Sequence, residues 1–367
     1  DGGGVHTSRC SPLRSSTNSD AESIACIVDH PAATSPHVRI DDARAMPSRA
    51  RPHLVLVNLG TPQHATPESV REFLDEFLSD PAVVDLPRWF WRPILRLLVL
   101  RSRPARVAEA YRSIWAPEGS PLRVATERMV AAVQAHGGES LTVSAAYRYG
   151  EPSLDSEMQR LSRVHDGPIV VVPLFPHRTA ATTGTAFQRA REAAARAKIS
   201  PRLNERLIHP ADSGYIRALA ARWLEALDAA EQPPDHLVVS FHGIPVRYNR
   251  REQLQYTLDC EETTRALLRA IDWPEDRTTL AYQSKFGPEP WLTPATAAVI
   301  NALPAKGIRR VGVIAPGFLT EGLETLEEIG IRAREEFQAN GGQSFTLVQA
   351  VEDHHALAES LVRLAHA

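Results

Sequence analysis

The chain has 367 residues, of which 43% are hydrophobic and 23% charged, proportions typical of a globular protein. Its formal net charge of -3 gives no sign of a nucleic-acid partner, and we expect none. None of the three cysteines forms a Cys-x-x-Cys pair, so neither a disulfide framework nor a cysteine-rich zinc site is indicated. Three cysteines are also too few for an all-cysteine iron–sulfur cluster within one chain. A reducing cytoplasm is the predicted location.

Residues 1–50 are rich in Ser, Asp, Ala, Pro and Arg and show no hydrophobic periodicity, which predicts a disordered N-terminal tail. The longest apolar run in this tail, 24–28, is too short for a secretory signal. The first methionine is Met46, so we expect much of the tail to lie upstream of the natural start.

From residue 53 the hydrophobic pattern becomes regular. Short apolar runs ended by Gly or Pro predict strands, and apolar residues spaced three and four apart predict helices. The predicted strands cover 54–58, 141–147, 169–174, 207–210, 237–241, 279–283, 311–315 and 344–348. The predicted helices cover 69–78, 106–115, 123–135, 154–164, 185–197, 215–229, 258–271, 294–303, 323–337 and 354–366.

Strands that alternate with helices predict parallel sheets covered by helices on both faces. We therefore predict an α/β fold of two Rossmann-like domains, each a small parallel sheet flanked by helices. The N-terminal domain is predicted at 53–212 and the C-terminal domain at 213–351, and a terminal helix at about 352–367 is a candidate to pack on the first. Several predicted strands end in compact turns with polar or aromatic residues, which predicts a ligand cleft between the domains.

His242 follows one of these strands, in the segment Ser-Phe-His-Gly-Ile-Pro at 240–245. A histidine at the carboxyl end of a strand can accept a proton near neutral pH or bind a metal. The alternative is a hydrogen-bonded histidine that merely ends the strand.

A second segment, 316–328, carries four acidic residues, three of which are spaced three and four apart. Thr320 is a candidate helix N-cap, and the spacing of Glu321, Glu324 and Glu328 predicts one face of a helix. The alternative is a solvated acidic face, because acidic residues favour the first helical turn through the helix dipole.

These segments and others resemble ferrochelatases. The resemblance runs in order from about residue 53 to the end of the chain. Its motifs are Leu-Val-Asn-Leu-Gly-Thr-Pro at 56–62, Phe-Leu-Ser-Asp-Pro at 77–81, Val-Val-Asp-Leu-Pro at 83–87, Arg-Pro at 103–104, Tyr-Arg-Ser-Ile-Trp at 111–115, Gly-Ser-Pro-Leu at 119–122, Arg-Tyr-Gly at 148–150, Ser-Phe-His-Gly-Ile-Pro at 240–245, Gln-Ser-Lys-Phe-Gly-Pro at 283–288, Pro-Trp-Leu at 290–292 and the segment 316–328.

The resemblance implies a two-domain chelatase fold and insertion of ferrous iron into protoporphyrin IX, the final step of haem synthesis. Iron and protoporphyrin are then substrates, and no bound cofactor and no iron–sulfur cluster are expected. The motifs resemble the proteobacterial, protoporphyrin-using branch more than the coproporphyrin-using one. Two alternatives remain open: a chelatase for another metal or tetrapyrrole, and a porphyrin- or haem-binding protein without catalysis.

By the same resemblance, His242 and Glu324 match the essential catalytic pair. We expect His242 to accept pyrrole protons, with Glu324 and Glu321 as a polar route for protons or metal; the alternative is that the histidine binds iron first. His242, Glu324 and Glu321 are the expected transient iron ligands. The positions that match porphyrin-binding residues are Leu59, Arg103, Tyr111, Ser120, Arg148, Tyr149, Trp291 and Phe318. Core packing is the alternative for each aromatic residue among them.

The apolar stretch 89–100 is interrupted by Arg92 and Arg96 and permits two interpretations. It is either a buried helix with snorkelling arginines or an apolar lip that touches the membrane surface peripherally. The resemblance favours the lip. No stretch of the chain approaches the ~18 apolar residues of a spanning helix, and we expect a monomer or weak dimer.

The sequence also departs from the family pattern. The loop after Tyr248 is one residue longer than usual, and residues 176–179 read Pro-His-Arg-Thr where Pro-Gln-Tyr-Ser is common. Glu321 stands where an aspartate is common, and Gly322 where a histidine or cysteine often sits. These changes leave the catalytic pair in place but alter the loops around it.

Overall fold

Two four-stranded parallel sheets organise the fold. The computed structural model describes residues 51–367, so the predicted disordered tail lies outside the described residues. The first sheet has the strand order β2-β1-β3-β4 and the second β6-β5-β7-β8. The strands are β1 His53–Asn58, β2 Thr142–Tyr147, β3 Ile169–Pro173, β4 Leu203–Glu205, β5 His236–His242, β6 Thr278–Gln283, β7 Arg310–Ile314 and β8 Ser344–Leu347. The predicted α/β class with two small parallel sheets is confirmed.

Helices connect successive strands and cover the sheets. The α-helices are α1 Pro67–Leu78, α2 Arg88–Ile94, α3 Leu100–Ile114, α4 Pro121–Gly137, α5 Leu154–Val164, α6 Thr185–Arg196, α7 Ser213–Ala229, α8 Val246–Arg251, α9 Gln255–Ala270, α10 Thr296–Ala302, α11 Arg334–Ala339 and α12 His355–His366. Three π-helical segments cover Leu95–Val99, Ala180–Gly184 and Leu323–Ala333, and four 3₁₀ turns cover Gly138–Ser140, Ser200–Arg202, Glu275–Arg277 and Pro304–Lys306.

The core forms on both faces of each sheet. The central strands β1, β3 and β5 are almost continuously buried, as expected of parallel strands covered on both sides. Successive side chains point to opposite faces. Leu54 and Leu56 therefore join one core cluster, whereas Val55 and Val57 join another. The terminal helix α12 packs against α4 and α7, while the predicted domain boundary at residue 212 stays a prediction.

Two predicted elements are wrong in position or type. The strand predicted at 207–210 is instead Leu203–Glu205, which pairs with Ile169–Val171. Its half-buried edge position gives a weak apolar pattern, whereas the nearby Ile208 is buried in the core without belonging to a strand. The helix predicted at 323–337 is a π-helix as far as Ala333, and only then continues as α11.

The carboxyl ends of the two sheets meet. Asn58, the last residue of β1, donates from its Nδ2 to the Thr320 hydroxyl just beyond β7, at 3.1 Å. His177, beyond the end of β3, packs edge-on against Phe241 of β5, with ring centroids 4.8 Å apart. Asn58, Thr320 and His177 are buried. The turns that follow the strands of both halves are therefore gathered at one junction.

A buried polar network at the opposite end of the first sheet gives a test of acid stability. Glu157 accepts from Ser144 and Arg160 and lies beside His53. Burial alone would raise the pKa of Glu157, but the hydrogen bonds from Arg160, His53 and Ser144 outweigh it and lower the pKa to about 2 from 4.5. The ionised carboxylate therefore stabilises the fold above its ordinary pKa, and this contribution declines as the pH falls toward 2.

We expect Glu157→Gln to lower the free energy of unfolding at pH 7 by about 2–3 kcal/mol. The difference between wild type and variant should shrink as the pH falls below about 5, where the unfolded chain takes up its proton first. Urea unfolding at a series of pH values measures both quantities. A difference that grows on acidification would contradict this account of the network.

Candidate active site

His242 is the last residue of β5, and its backbone and ring are both held in place. Its Nδ1 lies 2.6 Å from the carbonyl oxygen of Gly243. Because a carbonyl can only accept, Nδ1 carries the proton of the neutral ring and Nε2 is left with a free lone pair. The Tyr256 hydroxyl donates to the His242 carbonyl oxygen at 2.6 Å. The arrangement therefore presents Nε2 as the proton acceptor or metal ligand of this histidine.

Gly243 is needed beside this histidine because two groups approach it closely. A Cβ at this position would lie 2.7 Å from the Gln283 carbonyl oxygen and 3.1 Å from Cε3 of Trp291. The indole of Trp291 consequently packs directly on the turn that follows His242. The ring of Phe318 lies on another side, with its centroid 6.3 Å from that of the imidazole. Two half-buried aromatic side chains therefore flank the histidine.

Glu324 lies in the first turn of the π-helix Leu323–Ala333. The predicted N-cap Thr320 is wrong: the helix is capped at Gly322, whose N–H donates to the Thr325 hydroxyl at 3.0 Å. Burial raises the pKa of the Glu324 carboxyl, the charge of Glu328 adds to the effect, and His242 opposes it. Gln283, which pairs with His242 across β5 and β6, donates from its Nε2 to the Glu324 carbonyl oxygen at 3.0 Å. The fold therefore brings His242 and Glu324 to the same place across 82 residues of sequence.

Glu321 and Glu328 of this segment have fixed partners. Both carboxylate oxygens of Glu321 are occupied, by the Ala350 N–H at 2.7 Å and by the Thr325 hydroxyl. Glu328 accepts from the N–H and hydroxyl of Ser284 at 2.9 and 2.6 Å. The prediction of a single helical face is wrong for Glu321, because it precedes the helix and the helix is of the π type.

The first half of the chain contributes a hydrogen-bonded group to the same junction. Tyr111 is buried, and the Thr61 hydroxyl lies 2.8 Å from that of Ser120. Burial raises the pKa of Tyr111, and the nearby charge of Glu324 raises it further. Leu323, the residue before Glu324, packs against the buried cluster that contains Tyr111 of α3, although the two come from different halves. Leu59, half-buried, follows β1 at the same edge.

Comparison with known proteins identifies the family. The ferrochelatase family model matches residues 52–367. The chain belongs to the ferrochelatase family. A ferrochelatase of Edwardsiella ictaluri (strain 93-146) is 43% identical over 303 residues, which are 82% of this chain and 92% of that relative. One of Methylococcus capsulatus (strain ATCC 33009 / NCIMB 11132 / Bath) is 40% identical over 319 residues, covering 87% and 97%.

The fold is also similar to that of a solved chelatase. The sirohydrochlorin chelatase SirB from Bacillus subtilis subspecies spizizenii, in complex with cobalt, matches with a TM-score of 0.50. The alignment covers 86% of this chain and 94% of that chain at 11% sequence identity. This likeness concerns the fold, and it agrees with the two-sheet architecture predicted from the ferrochelatase motifs.

Arg148 and Tyr149 lie in a separate polar cluster of the ferrochelatase fold, around Asp80. Asp80 accepts from Arg148, from the Tyr149 hydroxyl at 2.9 Å and from the Thr185 hydroxyl at 2.7 Å. The Arg148 guanidinium carbon also lies 4.4 Å from the centroid of the Tyr149 ring. These contacts tie the predicted strand-end pair to the loop that precedes α2. Their predicted role in porphyrin binding stays a prediction.

Several supporting residues were not predicted from the sequence. Asn58 and Tyr256 hold the turns after β1 and β5, and Gln283 donates to the Glu324 carbonyl oxygen at 3.0 Å. Asn58 and Gln283 belong to motifs quoted above, and each is the last residue of a strand. That position was the available signal, because the carboxyl ends of parallel strands line the ligand site.

The structure accommodates two departures from the family pattern, His177 and the longer loop after Tyr248. His177 is buried, with its Nε2 2.8 Å from the Thr263 hydroxyl, and burial lowers its pKa to about 4. In the lengthened loop after Tyr248, Gln253 and Leu254 adopt left-handed backbone angles, with φ of 55° and 64°. These turns let the chain re-enter a helix at Gln255, so that Tyr256 still reaches the His242 carbonyl.

Proposed function

We propose that this member of the ferrochelatase family inserts ferrous iron into protoporphyrin IX to form haem, with His242 and Glu324 as the reacting protein groups. Family membership identifies a metal-inserting enzyme. The observation that carries the assignment of residues is a convergence of contacts at the junction of the two sheets. Gln283, which pairs with His242, donates to the Glu324 carbonyl oxygen, and Leu323 packs against the cluster that contains Tyr111. Ferrous iron and protoporphyrin are both substrates in this account, and no resident cofactor is required.

The reaction itself requires a base at this place. A free porphyrin carries two inner N–H groups, and iron cannot take four nitrogen ligands until both protons have left. In our proposal Nε2 of His242 accepts these protons one at a time, because Nδ1 is committed to the Gly243 carbonyl, and each proton leaves toward Glu324 before the next is taken up. Imidazole and carboxylate also suit ferrous iron while holding it less tightly than a thiolate set would. His242 and Glu324 are therefore proposed as its transient ligands.

Glu321 has a different role in this proposal from the one the sequence indicated. Its two carboxylate oxygens are hydrogen-bonded to Ala350 and Thr325, and burial raises its pKa. By holding Thr325, Glu321 supports the first turn of the π-helix, and that turn carries Glu324. Its use as a proton or metal relay requires the Thr325 hydrogen bond to break, so we propose that Glu321 is a secondary relay at most.

The porphyrin is proposed to lie against half-buried apolar side chains of both halves. Leu59 comes from the first half, and Trp291 and Phe318 come from the second. A nearby cavity, lined by Ile244 and Tyr248 among others, has a volume of about 50 Å³. This is far below the ~300 Å³ of ordinary ligand pockets. The ring is therefore proposed to lie against Trp291 and Phe318 beside His242, outside that cavity.

A metallation assay tests the proposed function. Purified protein is mixed with protoporphyrin and ferrous iron under reducing, oxygen-free conditions, with zinc as a surrogate metal, and the change in absorbance or fluorescence of the ring is followed. We expect turnover with both metals and a preference for protoporphyrin over coproporphyrin. Tight binding of the ring without turnover would instead support a porphyrin- or haem-binding protein. A preference for coproporphyrin would contradict the proposed substrate.

The segment around Trp89 is proposed to contact a membrane surface peripherally. Trp89 is 80% exposed, Leu97 56% and Leu98 64%, whereas Trp91 and Leu95 are buried against α1. This exposure favours the apolar lip over the buried helix. No acidic residue occurs between Asp85 and Glu109, so the lip is flanked only by arginines. Within residues 51–367, no helix is both long and apolar enough to cross a bilayer.

We further propose a cytoplasmic monomer or weak dimer at the inner membrane.

We expect the wild-type protein to float with vesicles that contain anionic lipids and to lose this association at high salt, because arginines and apolar side chains contribute together. Leu98→Glu should weaken the association about tenfold or more, because it removes apolar contact and adds a repelled charge. Leu224→Glu, at a 57% exposed position on α7, is the matched control and should not change flotation. Equal effects of the two substitutions would argue against a localised lip.

A further inference from the structure

Arg103, one of the predicted porphyrin-binding residues, packs against the aromatic ring of Phe286, which comes from the other half of the chain. The guanidinium carbon of Arg103, on α3, lies 4.2 Å from the centroid of the Phe286 ring. Phe286 belongs to the loop that follows β6. Both side chains are half-buried. At this distance the cation is attracted to the face of the ring, and partial desolvation strengthens the attraction.

Arg103 has no carboxylate partner within the described part of the chain. The ion pairs among residues 51–367 do not include it. Burial lowers its pKa, and the neighbouring charge of Arg106 lowers it further. A guanidinium that rests on a ring keeps the N–H donors in its own plane available. Arg103 therefore presents unpaired, directional donors beside the site.

The loop that carries Phe286 is fixed at both ends. We call residues 284–290 the strap. At its start, Ser284 has a left-handed φ of 64° and donates its N–H and hydroxyl to Glu328 of the π-helix. Immediately after its end, Trp291 packs on Gly243 and pairs with Pro245 in an isolated bridge. The strap is therefore anchored to the two elements that carry Glu324 and His242, and it presents Phe286 to Arg103 from a fixed base.

We propose that Phe286 is a positioning residue that sets specificity for tetrapyrroles with free carboxylates, by holding Arg103 so that its N–H donors meet the carboxylate at the ring edge. This inference rests on the proposed function, because it names the part of the substrate that Arg103 recognises. A carboxylate accepts two parallel N–H bonds from a guanidinium and matches its charge. An esterified side chain has no charge, so its interaction with Arg103 is expected to be much weaker. Pre-orienting the guanidinium reduces the entropy lost when the bond forms.

The test compares mesoporphyrin with its dimethyl ester on three proteins: wild type, Phe286→Leu and Phe286→Tyr. Leucine keeps an apolar side chain but offers no aromatic face, whereas tyrosine keeps the face. Dissociation constants are measured by porphyrin fluorescence, and kcat and KM by zinc insertion. Phe286→Leu should raise the Kd and KM for the free acid about fivefold. It should leave kcat and the affinity for the ester unchanged. Phe286→Tyr should stay within about twofold of wild type for both rings.

A double-mutant cycle separates this role from simple packing. In an Arg103→Met background the preference for the free acid should disappear, and adding Phe286→Leu should change nothing further, because the two residues act as a unit. Equal weakening of acid and ester by Phe286→Leu, or an unchanged ratio between them, would overturn the proposal. Wild type that binds and metallates both rings equally well would also overturn it, while leaving the proposed function intact. Wild type that binds neither ring would defeat the proposed function and, with it, the role of Phe286.

Discussion

The variant His242→Asn is expected to lose turnover by about 10²–10⁴-fold while keeping most of its affinity for porphyrin. Asparagine can still donate from Nδ2 to the Gly243 carbonyl, as Nδ1 of the histidine does, but it has no basic nitrogen. The turn around Gly243 and Trp291 should therefore survive, and only proton acceptance should be lost. Zinc insertion into protoporphyrin measures turnover, and porphyrin fluorescence measures binding.

Two further variants complete this test. His242→Ala removes the Gly243 contact as well as the base and should be about as inactive as His242→Asn. His64→Ala, at an exposed position before α1, is the control for loss of a histidine and should retain the wild-type rate. If His242→Asn keeps near-parental turnover, the proton acceptor is another group and the assignment of the base fails.

The variant Glu324→Gln is expected to reduce turnover by about 10²-fold or more without destabilising the protein. Burial raises the pKa of this carboxyl, which means that its ionised form is disfavoured in the folded protein. A neutral amide of the same shape removes that unfavourable charge, so the melting temperature should stay the same or rise. Loss of turnover without loss of stability would show that the Glu324 carboxylate serves the reaction and does not stabilise the folded protein.

Two neighbouring glutamates supply matched controls. Glu321→Gln should lower the melting temperature more than it lowers turnover, because both carboxylate oxygens of Glu321 hold structural partners. Glu328→Gln should mainly affect substrate binding, because Glu328 anchors the strap through Ser284. If all three substitutions reduce turnover equally, the acidic residues act as a collective route and Glu324 has no separate role.

The pH dependence of the wild type follows from the same carboxyl. If the ionised form of Glu324 is the active one, turnover should fall on acidification at a pH above its ordinary pKa of 4.5, because that pKa is raised. In the Glu324→Gln variant, the residual turnover should no longer show this fall on acidification.

The sequence by itself determined the fold class and the family of the protein. Uninterrupted apolar runs such as those of β1 and β5 predict buried parallel strands, because such strands are covered on both faces and show no alternation. The carboxyl end of β5 then marked His242 as a candidate residue of the ligand site. The ferrochelatase motifs, which occur in order along the chain, indicated the family that the comparisons confirmed.

Only the tertiary structure decided how the site residues are used. Helical periodicity predicted one acidic face for 321–328, but a π-helix that begins at Leu323 leaves Glu321 outside it, with Ala350 and Thr325 as its partners. The contact of Arg103 with Phe286 joins residues 183 positions apart. Hydrophobic periodicity along the sequence cannot predict such contacts, because they depend on how the two halves pack together. Local spacing fixes which face of its own element a side chain occupies, and packing between elements selects its partner.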